Sequence, residues 1–164
     1  MRVSHRYMLA GIAAALLAAP VGSQRPDNQI DQRSLELLRQ GDAHLAAGRL
    51  IEADDALETA LAVDPRNRAA FNSLARVATK QKLYGQAIRF TNRALALEPN
   101  DVEALAVQGE AMVELGAVPR ARDNLAKLQK LCPNGCKQLS SLTAAINRGP
   151  SVAAVRAPST PKTN

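Results

Sequence analysis

The sequence predicts an all-α fold: three stacked helix–turn–helix repeats, an α-solenoid, closed by a C-terminal capping helix. Three observations carry this reading. Pro65, Pro99 and Pro133 stand 34 residues apart, and Leu37/Phe71/Leu105, Gly41/Ala75/Gly109 and Ala53/Ala87/Ala121 keep the same register. A fixed period of this size marks a repeat architecture. Apolar residues make up 46% of the 164, yet the aromatics are only Phe71, Phe90, Tyr7 and Tyr84. Small aliphatic side chains suit helices in close contact better than packed sheets. Each repeat also ends in a residue followed by proline, at Asp64-Pro65, Glu98-Pro99 and Cys132-Pro133, and the residue before proline is driven out of the α region.

Residues 1–23 read as a signal segment. Arg2 and Arg6 precede an uncharged, almost wholly apolar run from Tyr7 to Ala19. That length matches an export signal's apolar region and falls short of the roughly 20 residues of a spanning helix. Val21 and Ser23 supply the small residues for cleavage after Ser23; an uncleaved membrane anchor is the alternative. The mature chain is therefore expected outside the cytoplasm, in a bacterial periplasm, touching membrane only through this segment.

Residues 24–33 form a polar linker. The repeats follow at 34–67, 68–101 and 102–135, two helices in each. In the first repeat, Leu35, Leu38, Leu45 and Ala46 hold helical spacing up to Gly48; Ala53, Ala56, Leu57, Ala60 and Leu61 hold it in the second helix. The small residues at Gly41, Ala75 and Gly109, and at Ala53, Ala87 and Ala121, are expected where the two helices of a pair cross. A seventh helix over 136–147 carries an apolar stripe of Leu139, Leu142 and Ile146, with Lys137, Gln138, Ser141 and Asn147 left for water. Residues 148–164, with Pro150, Pro158 and Pro161, are expected to be disordered.

The net charge of +6 suggests a polyanion partner, but its distribution does not. Residues 24–147 retain only +1; the excess sits in the two ends. Nucleic-acid binding needs a basic stripe on the folded surface, so no nucleic-acid partner is expected. Within the array the first repeat carries −4, the second +4, and the third balances.

Cys132 and Cys136 flank the turn-forming Pro-Asn-Gly. In an oxidising compartment they are expected to form a disulfide that pins the last helix to the array. A redox centre, which usually shows two intervening residues rather than three, and a metal site, which lacks a third ligand nearby, are the alternatives. His44 has no second histidine in the mature chain to share a catalytic site and is read as structural. No Ser/His/Asp set, phosphate loop or metal cluster stands out, so neither an enzyme nor a cofactor nor a small-molecule substrate is expected.

These residues resemble the tetratricopeptide repeat family over the 102 residues of the three units. That pattern wants a large apolar residue at position 4, small residues at 8, 20 and 27, a large apolar or aromatic residue at 11 and 24, and proline at 32. The chain departs from it at His44, Ala78 and Met112 (position 11), Thr91 (position 24) and Leu128 (position 27), and these departures predict looser packing in the middle repeat. The cysteine-bearing cap resembles that of small exported family members in proteobacteria.

The resemblance implies that the first helix of each repeat lines a concave groove for a protein or peptide partner. The corresponding positions are Leu35, Leu38, Asp42 and Leu45; Asn72, Arg76, Thr79 and Lys80; and Ala106, Glu110, Val113 and Glu114. Asn72 would pair with a peptide backbone, and Arg76 with Lys80 would hold a carboxylate. Burial of Leu35, Leu38, Leu45 and Val113 would supply affinity. The set used by family members that clamp acidic chaperone C-termini is absent, since Leu38, Asp42, Ser73, Glu103 and Val107 stand at its positions. Three functions compete: an exported module holding a segment of an envelope protein; a structural accessory subunit of a secretion, pilus or cytochrome-maturation assembly; and a thiol oxidant.

Overall fold

A computed structural model describes residues 29–151; the expected signal segment, most of the linker and the tail beyond 151 lie outside the described residues. Seven helices follow one another: α1 Gln32–Ala46, α2 Leu50–Val63, α3 Arg68–Lys80, α4 Tyr84–Leu97, α5 Val102–Glu114, α6 Val118–Leu131 and α7 Lys137–Arg148. Helices pack as the hairpins α1–α2, α3–α4 and α5–α6. The hairpins stack through α2–α3 and α4–α5, and α7 lies on α5 and α6.

The start of each repeat is set by one capping side chain. Asp31, Asn67 and Asp101 accept hydrogen bonds from the first-turn amides of α1, α3 and α5, donors that would otherwise have no partner. The second helices have no side-chain cap. They begin instead after a residue in the left-handed region: Gly48 at φ 74°, Lys82 at φ 62° and Gly116 at φ 76°, all at the same repeat position. Glycine bears that conformation without strain and lysine does not. Each second helix then stops at Asp64, Glu98 or Cys132, whose extended ψ values of 103°, 99° and 64° precede the three prolines.

Alternation of small and large residues packs the core. Ala53, Ala60, Ala87, Ala94 and Ala121 are fully buried, beside Leu57, Leu74, Leu105 and Leu128. Gly41 shows why no side chain is allowed there: a Cβ would lie 2.5 Å from Leu57 Cγ, across its own hairpin. Gly109 faces a different neighbour. Its Cβ would lie 2.6 Å from Leu142 Cδ1 of α7, so in the last repeat the notch receives the capping helix rather than α6.

The middle repeat is not loosely packed. Ala78 is 2% exposed and Thr91 fully buried. The Thr91 hydroxyl bonds the Ala87 and Ile88 carbonyls, and it accepts from Gln108 Nε2 at 3.3 Å. Gln108 Nε2 also donates to Asn92 Oδ1 at 2.7 Å, while Asn124 Nδ2 donates to Gln108 Oε1 and to the Leu105 carbonyl. The polar substitution thus opens a satisfied network joining the second and third hairpins, which is what permits polar atoms inside a core.

Candidate functional site

The first helices α1, α3 and α5 and the capping helix α7 line a row of connected cavities. One of about 400 Å³ is bordered by Asp42, Leu45, Ala46, Arg76 and Lys80. A second, of about 180 Å³, lies among Arg76, Thr79, Lys80, Val107 and Glu110. A third, of about 390 Å³, continues past Glu103, Val107 and Glu110 to Lys137, Gln138 and Ser141. Arg76 borders all three.

Arg76 is already held. Its Nη2 donates to Asp42 Oδ1 at 2.9 Å and to Ser73 Oγ at 2.8 Å, and Ser73 Oγ donates to Asp42 at 2.6 Å. On the other side Arg76 Nε stands 3.4 Å from Glu103 Oε1. One guanidinium therefore ties α1, α3 and α5 across the floor of the groove. The three charged side chains are each more than a third exposed, so solvent screening leaves such pairs worth about 0–1 kcal/mol apiece. Lys80, which the sequence places one turn along α3, is exposed and free of ion pairs among the described residues.

Of the residues the sequence assigns to the groove, Asp42, Leu45, Arg76, Thr79, Lys80, Ala106 and Glu110 border the cavities. Asn72 does not. It is 3% exposed, and its Nδ2 donates to Asp101 Oδ2 at 2.9 Å, beside the Arg68–Asp101 ion pair, so it braces the far end of its own repeat. Val113 is fully buried in the third hairpin's core and offers a partner nothing. Leu38 packs against the first core cluster, and neither it nor Leu35 borders these three cavities. Glu114 turns to Arg148, 3.6 Å away, and to the Ser151 amide at 2.9 Å. Burial pushes its carboxyl upward, but the Ser151 amide and hydroxyl and Arg148 bring it below the usual carboxylate range.

Glu103, Val107, Lys137, Gln138 and Ser141 complete the walls and were not among the groove residues expected from sequence. The signal was present: Lys137 lies 34 residues after Glu103, and Ser141 lies 34 after Val107. In phase and in place, α7 is the first helix of a fourth repeat. His44 lies outside the groove cavities described; its Nδ1 accepts from Arg49 Nε at 2.9 Å, bracing the α1–α2 turn. Cys132 and Cys136 form the disulfide, their Cα atoms 5.8 Å apart. Among the described residues there is no cluster able to hold a metal ion, and no helix is long and apolar enough to cross a membrane.

A stack of equal helical hairpins with a side-chain-lined row of first helices defines a helical-repeat scaffold. The family model described as tetratricopeptide repeat matches residues 44–109. The stack also superposes on solved structures of that kind. The first TPR domain of Spaghetti (RPAP3), bound to an HSP90 peptide, gives a TM-score of 0.66 at 23% identity, covering 73% of this chain and 95% of that one. The TPR2B domain of yeast Sti1, complexed with an Hsp70 peptide, gives 0.66 at 17% identity, with 72% and 98% covered. The Yersinia enterocolitica type III secretion translocator chaperone SycD gives 0.64 at 16% identity, with 72% and 94% covered. No curated protein matches the sequence. The chain is a tetratricopeptide repeat protein, of a family that generally serves as a non-catalytic scaffold for protein interactions.

Proposed function

We propose that this protein is an exported interaction module that holds a segment of an envelope protein in the groove along α1, α3, α5 and α7. The observation that carries this is the groove itself: connected cavities on one row of helices, with an apolar floor of Leu45, Ala106 and Val107 under charged rims. Apolar floor with polar rim is the composition of a recognition surface, in which burial supplies affinity and charge sets orientation. The basic start and apolar run of residues 1–23 support export.

The test is cross-linked capture from envelope extracts by the wild type, by Lys80→Glu/Lys137→Glu in the groove, and by Arg122→Glu on the exposed side of α6. Loss of specific partners with the groove variant alone is the expected result. Loss with the α6 variant alone would favour a structural accessory subunit packed through its outer face. An unchanged set of partners in both would overturn the groove assignment. Fractionation and N-terminal sequencing of the mature chain check export, with Gln24 expected as the first residue.

A further inference from the structure

The lysines that border the groove differ from its arginine in one respect: their charge is uncommitted. Arg76 is neutralised between Asp42 and Glu103. Lys80 and Lys137 are exposed and make no ion pair among the described residues. They also bracket the same spot. Val107 and Glu110 border both the cavity that Lys80 lines and the cavity that Lys137 lines, so the 180 Å³ space beside Val107 lies between the two ammonium groups. Val107 is 8% exposed and is the one aliphatic side chain bordering that space. Glu110 accepts the Ser141 hydroxyl, which joins α7 to α5 at this point. The start of α7 adds to the positive field: Lys137 is its first residue and no side chain caps it, so its free amide ends favour an anion.

Resting on the groove reading, we infer that the anchoring pocket is the one between α3, α5 and α7, and that it takes an extended peptide segment with an aliphatic side chain between two carboxylates. The aliphatic group fills the space beside Val107, one carboxylate meets Lys80, and the other meets Lys137 and the start of α7. The capping helix is thereby a wall of the binding site, and the Cys132–Cys136 bond, adjoining Lys137, positions one of its charges. The requirement for two carboxylates comes from the two free lysines. The requirement for an aliphatic residue between them comes from the cavity the two share.

The test uses the full mature chain, nitrogen-15 labelled, titrated with synthetic octapeptides that place Leu between two Asp residues at spacings of one, two and three. The controls replace Asp by Asn, or Leu by Ser. Binding with shifts at Lys80, Val107 and Lys137 is expected. Lys80→Glu or Lys137→Glu should weaken it roughly five- to tenfold, the scale of reversing one partly exposed charge pair. The double variant should instead prefer the peptide with Lys in place of both Asp residues, a rescue that mere damage to the fold would not give. If groove shifts appear but Asp and Asn peptides bind alike, the charge assignment is overturned while the groove reading stands. Shifts confined to α2, α4 and α6 would overturn both. Absence of binding by any peptide would overturn the inference and leave the groove reading to the capture experiment.

Discussion

The two ends of the stack are closed by different chemistry. At the N-terminal end the braces are polar. Asp64, 4% exposed, accepts the Asp31 amide at 3.0 Å and is held by Arg66, whose Nη2 also donates to the Gln29 carbonyl. Ser34, fully buried, donates to the Ala60 carbonyl at 2.7 Å and accepts from Asn67 at 2.8 Å. At the C-terminal end the closure is apolar and covalent: Leu142, fully buried in the Gly109 notch, and the disulfide. A repeat stack needs its outermost faces shielded, and this chain does so by hydrogen bonds at one end and by a plug and a staple at the other. The two ends should therefore yield to different perturbations.

The largest expected effect comes from removing the plug. Leu142→Ala empties a fully buried site, and losses of about 2–5 kcal/mol accompany such truncations. Denaturant unfolding should show a loss in that range, with hydrogen exchange raised first in α7 and at Gly109. Removing the staple comes next. A five-residue closure contributes about 2 kcal/mol in the chain-entropy model, so Cys132→Ser/Cys136→Ser should lower stability by about that much, and a dithiol reductant should do the same to the wild type. Exchange should rise in α7 and leave α1 unchanged.

The two glycine notches sharpen the comparison. Alanine would gain helix propensity at both, yet it overpacks both, at about 1–3 kcal/mol. At Gly41 the obstacle is Leu57 Cγ inside a hairpin, whereas at Gly109 it is chiefly the methyl ends of Leu142 on a terminal helix. Gly41→Ala should therefore destabilise more than Gly109→Ala in matched thermal melts.

Acid separates the ends in the opposite sense from reductant. Hydrogen bonding from the Arg66 side chain, outweighing burial and helped by the amides of Asp31 and Arg66, holds the Asp64 carboxyl down from the ordinary 3.8 to about 2. A depressed carboxylate stabilises the fold fully above its unfolded value, and that contribution is lost as pH falls through its folded value. The N-terminal brace should thus weaken between about pH 4 and pH 2. Asp64→Asn should remove this share of the pH dependence when unfolding is followed across that window. The smallest effect is a gain: Lys82→Gly relieves the left-handed strain in the α3–α4 turn and should stabilise by about 1 kcal/mol or less.

The fold was legible because spacing alone encodes it. The prolines, small residues and large apolar residues recur at 34 residues, and each has a local physical duty that the structure bears out. The groove was legible only in part. Asp42, Arg76 and Lys80 follow from helix phase, but phase cannot report that Arg76 is bound by Asp42 on one neighbour and Glu103 on another, or that Asn72 turns away to Asp101. Such pairings depend on contacts between helices about one repeat apart. Thr91 misleads for the same reason: alone it reads as a packing defect, and only beside Gln108 does it become a satisfied polar junction. The phase of Lys137 and Ser141 was readable, but it was masked by treating α7 as a cap rather than as the next first helix.

The claim most exposed to test is that α7 continues the row of first helices by seating Leu142 in the Gly109 notch. In the full mature chain with methyl-labelled leucines, the Leu142 methyls should give strong nuclear Overhauser contacts to the Gly109 α-protons. Leu142 methyls that contact only α6 or solvent, with no such contact at Gly109, would contradict the account.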